Sequence, residues 1–263
     1  MNLNDYAASI GYYDEEGDSK VRIMVYGETG VGKTRLAGTF PHPFFFNFNR
    51  GLITLRQMGV KPLELRLGRT DYIYKIVKDA LRKLKEKEGP FDKLEVETIV
   101  FDDLTDLADF LIADMMLHPA PGKQKRDPTM VKPEWDDYAV LRNQLKEICI
   151  TARELDYNMV GIAGLKTEIG EVGSSQYGKP LILGSFRDHV GYGFDEYYHM
   201  TVEGEGEKMK YVTYTAPHRS IGVSFEAKSR TGLPSKIENM DYGKLKAALE
   251  KARKEEKWIS NNG

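Results

Sequence analysis

Apolar residues in this chain follow two rhythms, and the switching between them predicts its architecture. Short unbroken apolar runs alternate with stretches in which hydrophobic residues recur every three to four positions, the signatures of buried strands and of amphipathic helices. VRIMVY (21–26) reads as a short strand running straight into GETGVGKT (27–34), and Thr34 to Phe40 as a short helix stopped by PHP at 41–43. FFFNF (44–48) reads as a second buried strand and PLELRL (62–67) as a third. Between Asp71 and Glu88, the residues Tyr72, Ile73, Ile76, Val77, Ala80, Leu81 and Leu84 mark one helix face, and Lys and Arg cover the rest as a solvated surface. ETIVFDD (97–103) is a β-rich run ending in two carboxylates, followed by a helix from about Leu104 to Leu117.

HPAPGKQKRDPTMVKPEW (118–135) has no periodicity and is rich in Pro and Lys, so it reads as a long exposed excursion. Trp135, Tyr138, Leu141, Leu145, Ile148, Cys149, Ala152 and Leu155 then recur at helical spacing, predicting a core-facing stripe with Cys149 as a small hydrophobe. NMVGIAGL (158–165) is another buried strand, and KTEIGEVGSSQYGKP (166–180) a second glycine-rich loop. From Asp195 the texture changes: EYYHMTVE, KMKYVTYT and IGVSFEA read as three strands with hairpin connections, and Asp241 to Trp258 as an amphipathic helix. Alternating strands and helices followed by consecutive strands predict an α/β fold. Its mainly parallel sheet is flanked by helices and extended toward the C-terminus by antiparallel strands.

Composition narrows this picture only a little. The 263 residues suit one sizeable domain, and a net charge of −2 leaves any anionic partner to be met by local Lys and Arg clusters. No secretory leader or long apolar run stands out, which predicts a soluble, unexported, cytoplasmic protein without a membrane partner. One cysteine allows neither an internal disulfide nor a metal site of its own.

GETGVGKT matches G-x-x-x-x-G-K-[ST] in full, between an apolar strand and a helix. Such a loop holds phosphates. Backbone N–H groups of Gly27, Glu28, Thr29, Gly30, Val31, Gly32, Lys33, Thr34 and Arg35 converge on the anion, and glycines allow the dihedrals this requires. Lys33 reaches the β and γ oxygens, and the Thr34 hydroxyl ligates Mg²⁺. A hard cation held partly through its waters wants a carboxylate at the tip of a neighbouring strand, and Asp102 is placed for that, with Asp103 better suited to cap the following helix.

With this loop, the Asp102 strand and AKSRTGLP (227–234), the chain resembles the RecA-like P-loop ATPases, most closely the phage group of single-strand annealing or recombinase-like proteins. TRLAGTFPHPFFFNF is similar to that group's helix, turn and second strand. The resemblance implies a RecA-like ATPase domain over 21–240, between an N-terminal arm at 1–20, flexible or subunit-tethering, and a C-terminal helix and tail at 241–263. It further implies ATP with Mg²⁺ at subunit interfaces of a homo-oligomer, in host cytoplasm if phage-encoded, with single-stranded DNA and a single-strand DNA-binding protein as partners. Lys228 and Arg230 occupy the positions of a basic pair that reaches a neighbouring subunit's γ-phosphate.

One departure concerns catalysis. Where the family's second strand usually ends in a glutamate, this chain has FNFNRGL, with Asn47 and Asn49, and an amide orients water but cannot take its proton. Slow hydrolysis follows, or service by another carboxylate, Asp103 being nearest; Asp103 or Asn49 is the expected water-positioning residue. Another is that MVGIAGLK lacks a polar sensor before Lys166. For nucleic acid, the candidates are Lys166, Tyr177 and Lys179 on the second glycine-rich segment and Lys123, Lys125, Arg126 and Lys132 on the excursion, cations for phosphates beside an aromatic for stacking. Two other readings stay open. A P-loop kinase of a small metabolite would want an Arg-rich lid, and the excursion holds only Arg126; a nucleotide switch with little turnover fits the missing glutamate.

Overall fold

The computed structural model describes residues 20–49, 51–169, 176–184 and 193–262. The acidic arm up to residue 19 and the glycine segment 170–175 lie outside the described residues.

The strands of the main sheet are β1 (Arg22–Tyr26), β2 (Pro43–Asn47), β3 (Leu63–Arg66), β4 (Thr98–Asp102), β5 (Asn158–Ile169), β7 (Glu196–Glu203), β8 (Lys210–Tyr214) and β11 (Lys236–Glu238). They run in the order β3-β2-β4-β5-β1-β7-β8-β11. From β3 to β7 every neighbouring pair is parallel, and β8 and β11 close the sheet antiparallel. Both faces of the parallel part are covered, so its strands are apolar at successive positions rather than alternating with polar ones.

Helices α3 (Ile73–Glu86), α4 (Leu104–Leu117) and α5 (Trp135–Arg153) pack on the face that carries Met24, Phe44, Phe46, Ile99 and Phe101. The other face carries Ile23, Val25, Phe45, Val100 and Val160. It is covered by the short helices α1 (Lys33–Ala37) and α2 (Ile53–Gln57) and by the start of α6 (Tyr242–Asn262). Within β1, β2 and β4, adjacent residues therefore supply opposite halves of the core. The mixed α/β class with a mostly parallel sheet and antiparallel strands toward the C-terminus is as the sequence predicts.

Three local expectations are corrected. The segment from Lys166 is no loop: β5 continues to Ile169 and pairs antiparallel with β6 (Gln176–Leu181). β6 in turn joins β10 (Val223–Phe225) and β9 (His218–Ser220) in a small second sheet. The glycine-rich composition hid this hairpin by reading as a loop. A Cβ at Gly178 would lie 2.4 Å from the Phe225 ring, so that glycine serves packing, not a turn. For the same reason IGVSFEA leaves the main sheet, while EYYHMTVE enters its parallel part beside β1.

The second correction is Trp135, which is 89% exposed. It occupies the first position of α5, beyond a capping box between Glu134 and Asp137, before the helix meets the core. Leu141, Leu145, Ile148, Cys149, Ala152 and Leu155 are buried as the stripe predicts. Third, Arg126 is not offered to solvent from the excursion. Its guanidinium grips both Asp137 carboxylate oxygens at 2.8 and 2.9 Å and Glu134 at 3.1 Å, tying the excursion to the start of α5.

Candidate nucleotide site

The loop begins where β1 ends, and Gly27 is its fixed point. A Cβ there would stand 2.2 Å from the Met200 carbonyl oxygen on β7, so only glycine lets the chain leave the sheet at that spot. Gly30 (φ 87°) and Gly32 (φ 89°) take left-handed dihedrals that turn the backbone back over the sheet edge. Val31, buried between them, pins the loop to the core beneath α1. Glu28, Thr29 and Gly30 are exposed, as is Arg35 on the first helix. The opening N–H groups of α1 have no partner within the helix and face the cavity above the sheet.

That cavity measures about 460 Å³ and is lined by Thr29, Gly30, Gly32, Lys33, Thr34 and Arg35 from the loop and α1, by Asn49 and Gly51 after β2, and by Asp102 and Asp103 at the tip of β4. The Lys33 ammonium donates to the Gly27 and Glu28 carbonyls at 2.9 and 2.7 Å, folded over the loop. Burial lowers its pKa, opposed by Asp103, Asp102 and Glu28. The Thr34 hydroxyl donates to Asp102 Oδ2 at 3.0 Å, and Asn49 Nδ2 donates to Oδ1 at 3.3 Å. Asp102 is fully buried, and burial raises its pKa against the hydrogen bonds of Thr34 and Asn49 and the Lys33 charge. Asp103 caps α4 by accepting the Asp106 N–H at 2.8 Å. Burial pushes its carboxyl up to about 6.

Thus β1 and β4, separated in the sheet by β5, deliver a lysine, a hydroxyl and two carboxylates to one pocket. Hard oxygen donors at Thr34 and Asp102 within 3.0 Å of each other fit a magnesium site, and the lysine with the glycine backbone fits polyphosphate. Asn47 does not take part: it is buried and donates to Glu64 on β3 at 2.6 Å.

Lys228 and Arg230 stand elsewhere. Lys228 bridges to Tyr197 on the first half of β7, and the Arg230 N–H donates to Glu196 at 3.0 Å, at the end of the sheet opposite the loop of the same chain. Lys166 pairs with Glu168 at 2.8 Å and Lys179 with Glu226 at 3.8 Å on the second sheet, while Tyr177 is 40% exposed beside them. Lys123, Lys125 and Lys132 are exposed on the excursion.

The structure also brings in groups that the sequence pattern did not point to. Thr54 and Gln57, one turn apart on α2, and Tyr211 on β8 line the same cavity. The i, i+3 spacing in ITLRQ was a readable signal for the first two; for Tyr211 there was none.

Residues 19–231 match the family model of an AAA domain (AAA_24). The chain belongs to this AAA domain family. Its loop therefore sits in a P-loop NTPase fold, a nucleotide-binding scaffold, and the family's usual nucleotide and Mg²⁺ agree with the donors just described. No curated protein matches the chain. Among solved structures, a KaiC-like protein from the hyperthermophilic archaeon Pyrococcus horikoshii OT3 is similar at a TM-score of 0.43 and 13% identity, covering 78% of this AAA domain chain and 84% of that one. No described helix is long and apolar enough to cross a membrane.

Proposed function

We propose that this protein binds ATP with Mg²⁺ in the loop cavity and hydrolyses it slowly, as a homo-oligomer acting on single-stranded DNA in recombination or annealing of the phage type. The observation that carries the nucleotide reading is the convergence of Lys33, Thr34, Asn49, Asp102 and Asp103 on one cavity, with Thr34 and Asp102 in direct contact. Lys33 and the loop N–H groups would hold the β and γ oxygens, and Thr34 and Asp102 would hold the ion. Magnesium, when bound, would neutralise negative charge on the phosphate oxygens while the bond from the γ-phosphorus to its bridging oxygen is cleaved. Asn49, whose amide donates to Asp102 and accepts the Gly51 N–H, is the proposed water-orienting group through its remaining amide hydrogen. Asp103 is more basic than an ordinary carboxylate and is the group able to accept that water's proton.

Support for single-stranded DNA is the β5–β6 hairpin, which carries Lys166, Tyr177 and Lys179 beyond the main sheet, together with the lysines of the excursion. Lys228 and Arg230 lie too far along β7 to serve their own loop, which suits action on a neighbour's nucleotide. A single-strand DNA-binding protein is a further proposed partner. The second reading, a switch with negligible turnover, is favoured by the amide that stands where a carboxylate would serve. A metabolite kinase gains nothing here, since Arg126 is locked to Asp137 rather than free to close over phosphates.

ATPase rate measured with and without single-stranded DNA, alongside solution mass with ATP, separates these readings. DNA stimulation and assembly, both abolished by Lys33→Ala, are the expected result. Binding of Mg-ATP without turnover would support the switch instead, and absence of any nucleotide binding by the folded chain would end the proposal.

A further inference from the structure

At the end of the sheet opposite the phosphate loop, where β1 and β7 begin, lies a pocket of about 370 Å³. Five stretches of chain meet in it. Lys20 and Arg22 come with the start of β1, Arg153 is the last residue of α5, and Asp195 and Glu196 open β7. Arg230 follows the bridge at Lys228, and Arg253 stands one turn beyond Leu249 on α6. Val21 and Leu249, both buried, supply the apolar part. Among the described residues of the lining, five side chains are thus cations and two are carboxylates.

The two carboxylates are not equivalent. Glu196, 3% exposed, is saturated by its neighbours: one oxygen accepts the N–H groups of Arg230 and Thr231 at 3.0 and 3.2 Å and the Thr231 hydroxyl at 2.9 Å. Its other oxygen accepts the Tyr198 hydroxyl at 3.1 Å. Asp195 is left to face the guanidiniums. Its Oδ1 lies 2.6 Å from that of Arg153 and 3.9 Å from that of Arg230, and its Oδ2 lies 3.7 Å from that of Arg22. Arg22 is 8% exposed, and a cation withdrawn from water needs an anion close by. Three guanidiniums set around one carboxylate, two of them beyond hydrogen-bonding distance of it, form a cradle with more positive charge than Asp195 matches.

We propose that this pocket binds a terminal phosphate, with Asp195 holding the guanidiniums in place until it arrives. Such a group brings about two negative charges and three acceptor oxygens, where a phosphodiester brings one charge and fewer acceptors than the cradle has donors. The volume, about twelve times a water molecule's share of the liquid, takes the phosphate and part of what carries it. The carrier is a small phosphorylated molecule or the phosphorylated end of a nucleic acid strand, which offer the pocket the same chemistry. Built within one chain and a strand's length from the loop, this is a second anion site, separate from the nucleotide cavity. Since Arg22 belongs to the sheet and Arg253 to α6, its occupant joins the C-terminal helix to the start of β1.

Calorimetry on the full Lys33→Ala chain without divalent metal, which disables the loop site, tests this with three probes. They are inorganic pyrophosphate, a short single strand with a 5′-phosphate, and the same strand with a 5′-hydroxyl. The expected result is saturable binding of a phosphate-terminated probe at one site per chain, weakened about tenfold or more by Arg253→Ala. Lys246→Ala, which removes the same charge from an exposed position of α6 outside the pocket, should leave it unchanged. Asp195→Asn should tighten it several-fold, because a like charge then leaves the cradle. Binding of pyrophosphate alone makes the carrier a small molecule, and preference for the 5′-phosphate over the 5′-hydroxyl makes it a strand end. Failure of both phosphate-terminated probes to bind overturns the site, as does an affinity that Arg253→Ala does not change. Equal binding of the two strands with none of pyrophosphate would overturn it too, leaving only attraction for the backbone.

Discussion

His199 sits one strand away from the end of β1, 3% exposed, its ring stacked on Phe225 at 4.1 Å and its Nδ1 3.3 Å from Nε2 of His218. Burial, with the His218 and Lys33 charges adding to it, pushes its pKa down from 6.5 to about 3. In the unfolded chain the same imidazole takes up its proton near pH 6.5, so between there and pH 3 the unfolded state binds more protons. Its contribution to stability is whole above pH 6.5 and drains away as pH falls, by up to about 1.4 kcal/mol per unit. Urea unfolding of His199→Phe between pH 4 and 7 should show a flatter acid limb, the pH range here being about that of the titration. Gly27 makes a steric prediction at the same scale. With the Met200 carbonyl oxygen only 2.2 Å from the place a methyl group would take, Gly27→Ala should lower stability by about 1–3 kcal/mol and weaken nucleotide binding, both measured on one preparation. The carboxylates make a kinetic one: Asp103→Asn should lower kcat roughly tenfold or more with little change in ATP affinity, and an unchanged kcat would pass the role to Asn49.

Among the elements, the excursion between α4 and α5 is tied to both flanking helices at Arg126. Arg126 bonds through its N–H to the Met116 carbonyl at 2.8 Å and through its side chain to Asp137, which is buried. Limited proteolysis of Arg126→Ala should cut within 118–134 several-fold faster than in the unaltered chain while the sheet stays intact. The β5–β6 hairpin makes the nucleic-acid prediction. Alanine at Lys166 and Lys179 together should weaken single-stranded DNA binding and lower its salt dependence by about one counterion for each phosphate no longer neutralised; an unaltered salt slope would remove the hairpin from the interface.

For the whole molecule, the distance that matters is the length of β1 and β7. The loop leaves the upper end of β1, and Arg230 is anchored by Glu196 at the lower end of β7 beside it. If the basic pair acts on the next subunit's nucleotide, Lys33→Ala and Arg230→Ala chains, each inactive alone, should recover ATPase activity when mixed, since some interfaces then unite an intact loop with an intact arginine. No recovery would confine Arg230 to its contacts with Glu196 and Asp195.

Periodicity and one eight-residue motif were enough to determine the parallel core and the phosphate end of the site. Strands buried on both faces must be apolar at successive positions, and a phosphate loop must carry its glycines, lysine and threonine in a fixed local order, so both leave marks within a few residues. The sequence of 166–180 hid its hairpin, because the glycines that read as a loop signal include Gly178, a strand position kept small by the Phe225 ring more than forty positions further on. Nothing in the sequence announced Tyr211, whose place over Gly32 exists only because β7 lies beside β1 and β8 folds back along it. Local covalent neighbours decide what a short segment can become. Only the closure of the sheet decides which distant side chains share a cavity, because that proximity is a consequence of strand order and not of sequence spacing.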